Sequence, residues 1–328
     1  MAREPVRPGK VATYLNCPYQ YLLDQRIRDS ALPMTGFAAK NYWLDDAFQK
    51  LFPDERHVGP DLADIESLRG DELAKYLKFH SPNSFASAVS GRWKSYVAQE
   101  NGTLQGGRKI VWLYENQWWK AAREIADACH NYYSFLMEEG PPVLVFTGKG
   151  ATTERKLAFF HDGRKYVVPV SFIRKGLVIG EYGTKKVTQK DLDKDWRVTL
   201  ELLAFSTLAR NEEAYRIKWG ISDQVVDAWG HTGYSIGPEI TYRYYSLSDG
   251  TRMETRRTDD DLPEMLEQIE AARTGIAKKD FTARPKRDNC SVCRFNVMDE
   301  GNSVICSKKH PDTPTPRPMQ EFAVALKF

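Results

Sequence analysis

The sequence predicts a mixed α/β core preceded by a helical N-terminal lobe, and three observations predict it. Up to about residue 139 most of the pattern is helical, and Pro141-Pro142 ends that region. From Val143 the texture turns β-rich, with turn signals at Asp162-Gly163 and Lys175-Gly176. Helical and strand-like runs then alternate until a cysteine cluster close to the C-terminus.

Composition narrows the class. The 328 residues are 41% hydrophobic, 12% aromatic and 28% charged, which excludes a disordered chain, a collagen-like repeat and a small disulfide scaffold. The net charge of +3 is too small to argue for nucleic acid by itself. Residues 273–309, however, hold nine Lys/Arg against four Asp/Glu, a local +5 around three of the five cysteines. No window approaches ~18 consecutive apolar residues, so no membrane span is expected. Met1–Lys10 leads into no apolar signal core, and a cytoplasmic location is expected.

Taken in order, residues 11–28 read as a helix with Tyr14, Tyr21, Leu22 and Ile27 as core positions. The clearest helix is Asn116–Met137, where Trp118, Ile125, Ala128, Cys129, Tyr132 and Leu136 form an apolar stripe and Asn116 a candidate N-cap. Strands are expected at 143–147, 152–161, 164–174 and 176–182, then a helix at 191–210. Strand-like runs at 213–220 and 238–246 and a helix at 261–277 follow, and Pro311–Pro318 reads as an extended connection. The expected organisation is a helical lobe over 1–142, an α/β core over 143–256, and a C-terminal helix, cysteine cluster and tail over 257–328, packed as one compact unit.

Cys290-Ser-Val-Cys293 is followed by Cys306 after twelve intervening residues, and in a reducing compartment such clustering favours metal ligation over disulfides. Three local thiolates leave a tetrahedral zinc or a four-iron cluster one ligand short. Cys17, Cys129 and His310 are the candidates for the fourth, with an unmetallated loop as the alternative. Cys129 lies within the apolar stripe and reads better as a small buried hydrophobe. Cys17 precedes a proline suited to the first turn of a helix, and a ligand there would tie the two ends of the chain together.

The opening Cys17-Pro18-Tyr19-Gln20-Tyr21-Leu22 and the closing Gly275-x5-Phe281-x3-Pro285-x4-Cys290-x2-Cys293-Arg294-Phe295, followed by Cys306, resemble the two ends of a known family. It is the iron–sulphur RecB-like branch of the PD-(D/E)XK nucleases, which includes AddB nucleases and CRISPR-associated single-strand exonucleases. The resemblance implies a mixed central sheet flanked by helices and a [4Fe-4S] staple on Cys17, Cys290, Cys293 and Cys306 that joins the termini. It also implies DNA, single-stranded, as partner, within a nucleic-acid-processing complex, and Mg²⁺ or Mn²⁺ at a carboxylate site.

In that family two carboxylates hold a divalent cation against the scissile phosphate and a lysine assists the attacking water. Here Glu181 stands at the second acid position, whereas Ser171 and Gly183 occupy the expected Asp and Lys positions. Glu201 and Phe205 stand where a helical Gln-x3-Tyr is expected. The resemblance therefore implies a degenerate nuclease site that leaves a DNA-binding scaffold. The alternatives are an active exonuclease with a rearranged site, in which Glu154 or Glu201 supplies an acid and Lys185 or Lys186 the missing lysine, and a non-catalytic assembly subunit. Strand alternation puts Lys185 on the face of Glu181.

For phosphate contact the expected residues are Lys186, Arg284, Lys286, Arg287 and Arg294. Lys278 and Lys279 belong to the same cluster, whereas Lys185, Lys190, Lys194 and Arg197 are interleaved with Asp191, Asp193 and Asp195. Among Trp93, Trp112, Trp118, Trp119 and Tyr242–Tyr245, one or two aromatics are expected to be open to bases.

Overall fold

The structure is a computed structural model. It describes residues 5–27, 32–51, 62–77, 79–99, 110–114, 117–143, 145–147, 150–152, 155–229, 235–298 and 304–318. The chain opens with α1 (Pro8–Asn16), α2 (Pro18–Arg26), β1 (Met34–Thr35) and α3 (Gly36–Leu51). Next come α4 (Leu62–Ser67), α5 (Gly70–Tyr76), α6 (Pro82–Gln99), β2 (Ile110–Trp112) and α7 (Gln117–Glu139). A β-rich stretch follows: β3 (Val145–Thr147), β4 (Gly150–Thr152), β5 (Arg155–His161), β6 (Arg164–Val170), β7 (Phe172–Arg174) and β8 (Val178–Gly183). Then come α8 (Gln189–Asp193), α9 (Trp196–Asn211), α10 (Glu213–Trp219), α11 (Asp223–Ala228), β9 (Thr241–Ser246) and β10 (Arg252–Thr255). The chain closes with α12 (Leu262–Ala277), α13 (Arg287–Val292) and β11 (Arg317–Pro318).

These elements form two compact units, each assembled from separated stretches of sequence. The first comprises Met1–Gly9, Phe48–Phe85 and Ala128–Ala271. Its four-stranded sheet has the order β10-β9-β8-β7, with β8 and β9 parallel and the outer pairs antiparallel. A parallel pair needs a crossover, and α8 to α11 supply it. Beside the sheet, β5 and β6 form a hairpin whose Asp162-Gly163 turn has φ of 48° and 67°, the mirror-image turn that suits twisted strands. Tyr166, Val168 and Val170 alternate inward from β6. The helix α9, buried from Leu202 to Ala209, packs on this hairpin.

The helix ends follow local chemistry. Thr188 and Asp191 cap α8 reciprocally, Asp195 accepts the Arg197 amide at 3.0 Å to start α9, and Gly220 ends α10 at φ 65°. The expected strand over 213–220 is α10 instead. The alternation of Tyr215, Ile217 and Trp219 suggests a strand, but Tyr215 stacks on Trp219 at 4.9 Å, the i,i+4 neighbour of a helix. Trp219 is fully buried against Phe205, while Ile217 is exposed.

The second unit comprises Lys10–Ala47, Ala86–Asp127 and Ala272–Phe328. In it β2 pairs in parallel with β1 and antiparallel with β11. Trp43, Trp93 and Trp112 meet edge to face, with ring centres 5.6 and 6.2 Å apart. The expected helix over 11–28 is broken in two at Cys17, which is extended because the residue before a proline is pushed out of the helical region. Tyr14 donates to the Asp280 carbonyl at 2.7 Å, and its ring lies over Gly275, where a Cβ would come within 2.0 Å of the hydroxyl. No described helix is long and apolar enough to cross a membrane.

The structure is thus a mixed α/β fold. The iron–sulphur staple expected to complete a PD-(D/E)XK-like architecture is corrected, since among the described residues no group of three or more His, Cys, Asp or Glu side chains is arranged to hold a metal ion.

Candidate functional site

In the first unit β8 supplies Glu181, the second turn of α9 supplies Glu201 and β9 supplies Tyr242. Burial pushes the Glu181 carboxyl up, against the opposing pull of Arg197, and pushes Glu201 well up, with the Glu181 charge adding to the effect. The Tyr242 hydroxyl is a hydrogen-bonding neighbour of both. Arg197 is held firmly charged by Asp195, whose two oxygens receive its Nε at 3.0 and 3.1 Å. Lys185 is exposed and acts on Glu181 only as a nearby charge.

Each carboxyl is therefore harder to ionise than an ordinary one. The expected divalent cation is corrected on the same ground as the staple: no described group is arranged to hold it. Glu154 lies outside the described residues. Ser171 is half-buried at the bend between β6 and β7. Gly183 is a close-packing position. A Cβ there would sit 2.1 Å from the Tyr244 hydroxyl, which donates to the Lys185 carbonyl at 2.5 Å, so a lysine at 183 has no room.

Sequence reasoning passed over Glu139, the last residue of α7. Its carboxylate receives Arg243 Nη1 at 2.6 Å, Arg252 Nη1 at 2.8 Å and the Tyr245 hydroxyl, with Arg174 Nε at 3.4 Å. Burial alone would raise this carboxyl, but the Tyr245 hydrogen bond and the three arginines outweigh it and hold it below the ordinary range. Arg174 also donates to the Gly140 carbonyl at 2.7 Å, closing the end of α7. Its partners lie 35 to 113 positions away in sequence, so no local pattern announces them.

In the second unit Cys17, Cys290, Cys293 and Cys306 are electrostatic neighbours, half-buried and outside any disulfide. They are nonetheless not a metal site. Cys293 and Cys306 pack on a small apolar cluster of Leu23, Leu32 and Phe295. Burial pushes the Cys293 thiol up to about 11 and raises Cys306 as well. The expected [4Fe-4S] cluster is corrected by the absence of a metal-holding group among the described residues. With it go the assignment to the iron–sulphur RecB-like PD-(D/E)XK nucleases and the functions drawn from it: degenerate nuclease, active exonuclease and assembly subunit. Cys129 is fully buried in α7, as its place in the stripe implies.

The cations divide by their surroundings. Arg294 is committed to Asp24 at 2.6 Å and stacks over Phe295, and Arg284 donates to the Leu15 carbonyl at 3.2 Å. Lys278, Lys279, Lys286 and Arg287 are exposed, and none forms an ion pair with a described acid. Lys186 is exposed on the first unit, near Asp249. Of the expected aromatics, Trp93, Trp112, Tyr242, Tyr244 and Tyr245 are buried, and Trp119 is 55% exposed with Lys94 Nζ 5.6 Å from its ring centre. Tyr42 and Tyr114 of the same unit are also exposed, though nothing in their sequence surroundings singles them out. No family model matches this chain, and no curated protein matches it.

Proposed function

We propose that single-stranded DNA is the partner of this chain, held by the second unit through phosphate neutralisation and base stacking. The observation that carries the reading is the run from Lys278 to Arg287, where five cations meet one acid, Asp280, and none of the five forms an ion pair with a described acid, Arg284 donating to a carbonyl. Asp280 is occupied with Thr282, whose amide and hydroxyl it accepts at 3.2 and 2.8 Å.

A backbone feature supports a use for this charge. Lys279 follows α12 at φ 56°, in the left-handed position that glycine ordinarily fills. The amide of Asp280 bonds the Gly275 carbonyl and that of Lys279 bonds the Ile276 carbonyl, both at 3.0 Å, as in a Schellman ending. A lysine there costs about 1 kcal/mol against glycine. Stacking on an exposed ring such as Trp119 supplies about 1–3 kcal/mol per base with little sequence preference.

The test is Lys279→Gly, assayed by urea denaturation and by anisotropy with a fluorescent oligothymidylate. The expected result is a more stable protein, by about 0.5–1 kcal/mol, that binds the oligonucleotide more weakly. Unchanged binding in a stabilised variant would overturn the use of this segment, and absence of binding by the unmodified chain at low salt would overturn the reading altogether.

A further inference from the structure

The half-buried thiols of Cys17, Cys290, Cys293 and Cys306 neighbour one another within the second unit. Two antiparallel backbone bonds draw the arms of this loop together: the Cys306 amide to the Phe295 carbonyl and the Ile305 amide to the Val297 carbonyl, both at 3.0 Å. Cys293 lies two residues before Phe295, and its side chain packs with that of Cys306 on the same Leu23, Leu32 and Phe295 cluster. Cys290 has a different contact, since its Sγ accepts the His310 amide at 3.4 Å.

We propose that this group is a thiol oxidation site at which a two-electron oxidant of the peroxide class joins Cys293 to Cys306 as a disulfide. Either thiol of the pair can begin the reaction. Burial raises both, offset in part by a backbone amide at each, that of Phe295 for Cys293 and that of Lys308 for Cys306. Where Cys306 begins it, the thiol gives its proton to water, its sulfur attacks one peroxide oxygen, the O–O bond breaks, and hydroxide departs to leave a sulfenic acid. The Cys293 thiol then gives its proton to that hydroxide and its sulfur attacks the sulfenyl sulfur, forming S–S and breaking S–O, and the second oxygen leaves as hydroxide and takes up the proton Cys306 released, ending as water. Two thiols are oxidised, one peroxide is reduced, and two waters result.

Cys129 stands outside the group, fully buried in α7.

The experiment treats the full chain with hydrogen peroxide, denatures it, alkylates the remaining thiols and maps the peptides by mass spectrometry without reductant. The expected result is the loss of two of the five alkylatable thiols and a linked peptide pair carrying Cys293 and Cys306. Cys293→Ser or Cys306→Ser removes the link, and Cys129→Ser leaves it. Recovery of five alkylatable thiols, a link confined to other pairs, or sulfinic acid at Cys306 without a link would each overturn the proposal. The map of the unmodified chain decides even where a variant fails to fold.

Discussion

Replacing Glu139 removes the one carboxylate on which Arg174, Arg243 and Arg252 converge. Arg174 and Arg243 have side chains 9% and 17% exposed, and Glu139 itself is 15% exposed, so bulk water screens little of this charge. Arg252 is about half exposed and its share is small. Arg243 keeps Glu254 at 2.6 Å, whereas Arg174 keeps only carbonyls and a tyrosine hydroxyl at 3.5 Å. Removing one partner of such a buried pair costs about 3–5 kcal/mol, because the remaining charge stays desolvated. Glu139→Ala is therefore expected to lose that amount and Glu139→Gln about 2 kcal/mol, since the amide still accepts one charged hydrogen bond. Urea denaturation followed by circular dichroism reads both. The pH dependence has a fixed sign. A carboxyl lowered on folding contributes stability above its unfolded pKa and loses it as pH falls through the folded value, so the gap between parent and Glu139→Gln closes in acid. A loss below about 1 kcal/mol for Glu139→Ala would refute the reasoning.

Glu201 has the opposite sign: a carboxyl raised on folding is most favourable below its unfolded pKa and turns unfavourable as pH rises through the folded value. Glu201→Gln is thus expected to stabilise the protein at pH 8 relative to pH 5, and equal effects in chemical denaturation at the two values would contradict the buried-acid account. Gly183→Ala is expected to cost about 1–3 kcal/mol by overpacking against Tyr244. In a Tyr244→Ala background most of that cost disappears, and a strictly additive double-mutant cycle would show that the clash lies elsewhere.

Local signals reached some elements and not others. The Asp162-Gly163 turn, the apolar stripe of α7 and the helix over 262–277 are written in spacing and turn chemistry that a short window contains. The α10 helix is not, because Tyr215, Ile217 and Trp219 satisfy a strand pattern until the burial of Trp219 against Phe205 is known. Gly183 reads from sequence as a missing side chain, whereas in the fold it is space filled by Tyr244 from the neighbouring strand. Cysteine spacing predicted one shared cluster on Cys17, Cys290, Cys293 and Cys306, and no group among the described residues is arranged to hold a metal ion. Spacing carries no information on how the side chains are arranged, and there the metal assignment failed. The Glu139 hub is long-range throughout and left no trace in any local window.

The central claim is that exposed cations of the second unit bind single-stranded DNA. It is tested most directly by the salt dependence of oligothymidylate binding to the unmodified chain and to a chain with Lys278, Lys279, Lys286 and Arg287 all changed to Gln. If these four side chains neutralise phosphates, the slope of log affinity against log salt is about −3 for the parent and close to zero for the variant. Equal slopes for the two chains, or a parent whose binding ignores salt, would contradict the account.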